Sequence, residues 1–297
     1  MTATTRRNTP RRGNIATRPA RANSSLSKAF KPRRSILYVP ADKPRALEKV
    51  RGLDADAIII DLEDAVAPDA KALARDAACA AIAGLGPREV IVRINALSSP
   101  WGRDDLAAVR CARPDAIALP KLRDAEDVIA ARALTGDIPL WAMIETPRSV
   151  LNAAEIAGAG VAALVLGSND LLKDMGARHM PGRANLHTAM ALCVMAGRAA
   201  GITVLDGVHN DLNDMTAFAA ACQQARDFGF DGKTVIHPGQ IAVCNAAFTP
   251  SPEEIAAARR VVEAFAKSPQ AGVIALDGRM VERLDLKIAE RTLSRAP

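Results

Sequence analysis

The sequence predicts an α/β fold, a (β/α)8 TIM barrel with a C-terminal helical extension. Two observations carry that prediction. Eight short apolar or β-branched runs alternate strictly with eight Ala-rich amphipathic segments. The runs are apolar throughout rather than alternating, as parallel strands covered on both faces require. No glycine-rich dinucleotide fingerprint or phosphate loop follows any run, which argues against an open doubly wound sheet.

The elements follow in order. Strands are expected at Ser35–Val39, Ala57–Leu62, Val90–Ile94, Ala116–Leu119, Leu140–Ile144, Ala162–Leu166, Thr203–Leu205 and Lys233–Ile236. The intervening helices are expected at Pro44–Gly52, Pro68–Gly84, Arg103–Cys111, Ala125–Leu134, Pro147–Gly158, Ala184–Ala200, Asn213–Phe228 and Pro238–Ala247. Thr146 followed by Pro147 is a helix start: threonine suits the N-cap and proline the first helical position. The barrel thus runs over residues 35–247. Residues 248–297 form an extension with a helix at Glu253–Lys267, a turn around Leu276–Arg279 and a last helix at Leu284–Ser294.

The 297 residues, 49% hydrophobic, are ample for one large core. No apolar run approaches the roughly 20 residues of a membrane span, and no signal-peptide core is visible. The five cysteines show no paired spacing and read as reduced thiols of a cytoplasmic protein. The net charge of +6 comes from one end. Ten of the 39 Lys and Arg lie in residues 1–34, which hold no acid, so the remaining 29 face all 33 acids, a net of −4. The charge therefore gives no ground for a nucleic-acid partner. Residues 1–34 lack apolar periodicity and read as a disordered basic tail. Their Arg/Ser/Thr-rich composition also leaves open a transit peptide, with an organelle matrix as the location, and a polyanion-binding arm.

Active sites of such barrels lie at the carboxyl ends of the strands. Those ends carry Asp42, Glu63 and Asp64, Arg93 and Asn95, Lys121, Glu145, Asn169 and Asp170, Asp206, and His237. Carboxylates converging on one mouth repel: two about 4 Å apart cost on the order of 4 kcal/mol at an effective dielectric near 20. Arg93 and Lys121 offset part of this, and a divalent metal would offset more. The donors are hard oxygens without a His/Cys cluster, which favours Mg2+, with Mn2+ as the alternative, over Zn2+.

The segments RRSILYVPAD (Arg33–Asp42), DLEDAV (Asp61–Val66), VRINALSSPWG (Val92–Gly102), LPK (Leu119–Lys121), MIETP (Met143–Pro147), GSNDL (Gly167–Leu171), LDGVHND (Leu205–Asp211) and FDGKTVIHPGQI (Phe230–Ile241) occur in that order. Together they resemble the citrate lyase beta-subunit family of HpcH/HpaI aldolase type, which also holds malyl-CoA and citramalyl-CoA lyases. The resemblance implies a Mg2+-dependent barrel that cleaves or forms a C–C bond beside a CoA thioester, with a 2-oxo acid as the other substrate or product. It assigns Glu145 and Asp170 to the metal and Arg93 to the substrate oxygen, where a guanidinium stabilises an enolate or alkoxide. Glu63 and Asp64 would organise the metal's water. Gly167, Ser168 and Asn169 would present backbone N–H groups to a small carboxylate. Lys43, Arg45 and His237 are candidates for the CoA side, His237 equally for a structural hydrogen bond.

In that family an aspartate after a DGxM turn is the general acid/base, and the aligned residue here is Glu282. The family's extension covers a neighbouring subunit's mouth, usually in a trimer, so a homotrimer or dimer of trimers is expected. The implied reaction is retro-aldol or retro-Claisen cleavage of a malyl-, citramalyl- or citryl-CoA type substrate. Two rivals are a metal-dependent aldolase of free hydroxy acids and a non-catalytic, complex-bound lyase subunit.

Overall fold

A computed structural model describes residues 32–296. Eight parallel strands close into a barrel in chain order: β1 (Ser35–Pro40), β2 (Ala57–Asp61), β3 (Glu89–Arg93), β4 (Ala116–Leu119), β5 (Leu140–Ile144), β6 (Ala163–Leu166), β7 (Thr203–Asp206) and β8 (Gly232–Val235), with β1 paired to β8. Around them run α1 (Pro44–Lys49), α2 (Lys71–Ala81), α3 (Gly102–Ala112), α4 (Ala125–Thr135), α5 (Pro147–Leu151), α6 (Ala153–Gly158), α7 (Ser168–Asp174), α8 (His187–Ala200), α9 (Met215–Phe228) and α10 (Ile241–Phe248). The chain ends in α11 (Pro252–Lys267), a β9–β10 hairpin (Val273–Leu276, Arg279–Glu282) and α12 (Arg283–Leu293). Among the described residues no helix is long and apolar enough to cross a membrane.

The period of two along each strand separates two cores. Ile36, Ile59, Ile91, Trp141, Met143, Val165 and Leu205 fill the barrel interior, Trp141 being its largest side chain. Their strand neighbours Leu37, Ile60, Val92, Ile117, Ala142, Leu164 and Val204 face outward and pack under the helices. This is why the strands read as unbroken apolar runs.

Local chemistry sets the helix starts. Thr146 and Ser149 form a reciprocal capping box at α5, with Pro147 in the first turn. Asp124, Asp214 and Ser251 cap α4, α9 and α11. Five expected helices are corrected, two of them only by a short 3-10 turn, at the end of Pro44–Gly52 and at the start of Pro238–Ala247. Pro147–Gly158 breaks at Asn152, whose backbone leaves the helical region and whose amide donates to the Arg123 carbonyl. Pro68–Ala70 is a separate 3-10 turn before α2. Pro181–Leu186 is a 3-10 segment before α8, kinked by left-handed Gly182 and Arg183. The expected turn near residue 278 is a full hairpin, because Asp277 and Gly278 both take positive φ and the flanking residues pair.

The basic N-terminal stretch ends earlier than composition suggests. Residues 1–31 lie outside the described residues, but Arg33 and Arg34 belong to the barrel. Arg33 grips Glu89 with two hydrogen bonds of 2.7 Å, reaches Thr203 and lies 5.1 Å from the Trp141 ring. Arg34 forks onto Asp56. At the same foot, Asp231 gathers Arg198, Arg291 and Arg295, which ties α12 to the amino end of β8.

Candidate active site at the barrel mouth

The carboxyl ends of the strands surround a cavity of about 360 Å³ lined by Tyr38, Asp61, Arg93, Glu145, Gly167–Asp170 and Thr234, among others. Its organiser is an ion cluster across β2, β3, β4, β5 and β6.

Parallel pairing sets Asp61 opposite Arg93. The Arg93 guanidinium donates to both Asp61 oxygens, at 2.6 and 2.7 Å, and its third nitrogen lies 2.8 Å from Glu63 and 3.7 Å from Asp64. The Tyr38 ring lies 4.9 Å from its central carbon. Arg93 is therefore held on three sides. Asp61 also accepts from the Glu63 and Ala65 N–H groups, and Lys71 donates to the Leu62 and Glu63 carbonyls, which fixes the turn after β2. Burial pushes the Glu63 carboxyl up to about 8, against the pull of Arg93. Asp64, by contrast, is exposed.

Glu145 follows β5 directly and is completely buried. Burial pushes its pKa up, opposed by the Lys121 ammonium and by the Lys121 N–H, which donates to Oε1 at 2.7 Å. Its other oxygen, Oε2, is buried with no hydrogen-bond partner. Gly167 gives that carboxylate its room: a Cβ there would stand 2.7 Å from Oε2 and closer still to the Glu145 Cβ. Asp170 comes from the first turn of α7. Lys121, in the left-handed region at φ 55°, reaches Asp170 at 2.7 Å, Glu145 at 3.4 Å and Glu63 at 3.8 Å.

The expected metal pair thus comes together, and its chemistry fits a hard divalent cation: two carboxylates share one cation, and one buried oxygen lacks a donor. Among the described residues no group of three or more His, Cys, Asp or Glu side chains is arranged to hold a metal ion. A Mg2+ here would take two protein oxygens and leave its other positions to water and substrate.

The other expected residues divide. Gly167, Ser168 and Asn169 line the cavity, with Gly167 ahead of α7. Lys43, ahead of α1, and Arg45, in its first turn, are exposed outside the cavity lining, Lys43 paired with Asp42 at 2.8 Å. His237 accepts from the Gly239 N–H and caps the short Pro238–Gln240 turn, a structural hydrogen bond. Glu282 is exposed at the start of α12, in a capping box with Asp285, and does not line the cavity. Two strand-end residues are corrected. Asn95 and Asp206 turn away from the mouth: Asn95 binds Asp105 and the Leu62 carbonyl, and Asp206 binds Lys233 and Arg183 outside the barrel.

Asp61 and Tyr38 join the site although their positions within apolar strand runs do not mark them in the sequence. The signal for Asp61 was the register of adjacent strand ends, which pairs it with Arg93.

Residues 34–238 match the family model for HpcH/HpaI aldolase/citrate lyase. The chain belongs to this family. The (3S)-malyl-CoA thioesterase of Cereibacter sphaeroides is 48% identical over 270 residues, covering 89% of this chain and 95% of that protein. Citrate lyase subunit beta of Escherichia coli is 34% identical over 281 residues, covering 89% and 93%. Among solved structures, protein CitE from Mycobacterium tuberculosis, in complex with magnesium, acetoacetate and coenzyme A, superposes with a TM-score of 0.76 at 34% identity, over 88% of this chain and 97% of that one. The family is enzymatic, and its fold is the barrel described above.

Proposed function

We propose that the protein cleaves a malyl-CoA-type 3-hydroxyacyl-CoA into an acyl-CoA and a 2-oxo acid at a Mg2+ site formed by Glu145 and Asp170, or runs the reverse condensation. The observation that carries this reading is Glu145: a fully buried carboxylate, one oxygen without a donor, facing an open cavity beside a second carboxylate. Such an oxygen is costly unless a cation completes it. The magnesium and coenzyme A bound by the M. tuberculosis relative support the same choice.

When bound, Mg2+ would supply Lewis acidity and two-point binding for a hydroxyl and the carboxylate next to it. The protein's own groups do the remainder. Arg93 cannot swing away, because Asp61 and Glu63 hold it; its fixed charge lowers the cost of enolate oxygen charge. The backbone of Gly167–Asn169 orients the substrate carboxylate. Lys43 and Arg45, both exposed, take the CoA phosphates. A base accepts the hydroxyl proton, the C–C bond breaks to a 2-oxo acid, and the acyl-CoA enolate takes a proton at carbon. That base is assigned to Glu282, delivered by the extension of a second copy in a homotrimer.

A second reading is favoured by the thioesterase name of the 48% identical relative: water attacks the thioester carbonyl and free CoA leaves. Incubation of (3S)-malyl-CoA with the protein and Mg2+ separates the two. The lyase yields acetyl-CoA and glyoxylate, and Glu145→Ala abolishes both; malate and free CoA alone would establish hydrolysis instead. Absence of either product pair would reject the proposal. In the same assay Glu282→Gln lowers the rate by roughly 100-fold or more if it is the base.

A further inference from the structure

Lys121 serves the mouth twice through one strained residue. It sits two residues past β4, after Pro120, with φ at 55°, a region that non-glycine side chains adopt at a cost. That conformation turns its N–H onto Glu145 Oε1 at 2.7 Å. It also folds the side chain back so that Nζ stands 2.7 Å from Asp170 and 3.4 Å from Glu145. A third carboxyl group, that of Glu63, lies 3.8 Å away. The ammonium therefore draws on both carboxylates assigned to the divalent cation, and the Glu63 carboxyl stands within 4 Å of it as a further oxygen acceptor.

From this we infer that Lys121 is an exchangeable counter-ion: its ammonium neutralises Glu145 and Asp170 in the metal-free protein, and Mg2+ binding drives it off them toward Glu63. The inference rests on the reading of Glu145 and Asp170 as metal ligands. Two cations cannot share the same carboxylate oxygens at contact distance without strong repulsion, and the divalent one gains more from the pair. The exchange solves a folding problem. Without a monovalent partner, the buried Glu145 charge would be uncompensated in every molecule lacking metal. It also sets an affinity ceiling, since each Mg2+ must displace a bonded ammonium. The backbone N–H of Lys121 stays on Glu145 throughout, so the ligand is held in place while the charge beside it changes.

The test is calorimetric titration of Mg2+ into the full chain after EDTA treatment, with Lys121→Met, Lys121→Gly and Asp170→Asn as variants. Lys121→Gly keeps the left-handed backbone without strain, so it folds even where Lys121→Met does not. Both lysine variants should bind Mg2+ more tightly than the parent, by about tenfold or more, the scale of one close like-charge contact removed. Without Mg2+ their melting temperature should fall below the parent's, and saturating Mg2+ should restore it. Unchanged or weaker Mg2+ affinity in the folded lysine variants, with binding present in the parent and lost in Asp170→Asn, would overturn the exchange and leave the metal site standing. No Mg2+ binding by the parent would overturn both.

Discussion

Glu63 concentrates the electrostatic problem of the mouth in one side chain. Arg93 at 2.8 Å favours its charge, yet burial outweighs that and raises its pKa to about 8 from an ordinary value of 4.5. The folded protein then holds a proton that the unfolded chain loses between these values. Stability from this source is complete below about pH 4.5 and falls as pH rises, by at most about 1.4 kcal/mol per unit, until it is gone above about 8. Glu63→Gln stays neutral and lacks this slope. Urea denaturation in EDTA at pH 5, 6.5 and 8 should show the parent losing stability relative to Glu63→Gln across the series; parallel curves would mean that Glu63 titrates normally. Glu145 and Asp170 were legible as mouth residues because each follows an apolar strand in a distinctive motif. Asp61 was not. It reads as the last residue of a strand, and only its register against Arg93 shows that it faces a guanidinium.

The strands were legible because each is sandwiched between the barrel interior and the helices, so burial imposes the same apolar signature on all eight. Helices were less so. A seven-residue α7 has too few turns to show a period, and the break at Asn152 depends on a hydrogen bond to a carbonyl 29 residues away. The clamp between β7, β8 and the Pro181–Leu186 segment was equally hidden. Asp206 ends β7 where a mouth residue is expected, but the pleat turns it outward with Val204. There it meets Lys233 at 2.6 Å and Arg183 at 2.8 Å, with Asp206 and Lys233 fully buried. These cations hold the Asp206 pKa low despite its burial. Asp206→Asn leaves Lys233 without its counter-charge inside the protein and should cost about 3–5 kcal/mol of unfolding free energy. A loss below about 1 kcal/mol in denaturant titration would show that the triad is not an anchor of these two strands.

At the scale of the whole molecule the barrel divides its labour between two ends. The foot is a layer of ion pairs, Arg33–Glu89, Arg34–Asp56 and the Asp231 cluster, which hold strand starts and the last helix together. The mouth gathers Glu63, Arg93, Lys121, Glu145 and Asp170, where charges are opposed rather than fully paired. That asymmetry is the expectation for this fold, with stability at the amino ends and chemistry at the carboxyl ends. The central claim is that Glu145 and Asp170 form one divalent-cation site. It is tested most directly by anomalous scattering from a crystal of the protein soaked in Mn2+. The claim predicts a single strong peak at the mouth, about 2.0–2.2 Å from an oxygen of each carboxylate, with the Lys121 ammonium withdrawn from both. A peak bound elsewhere, or a mouth without one while Lys121 keeps its contacts to Asp170 and Glu145, would contradict it.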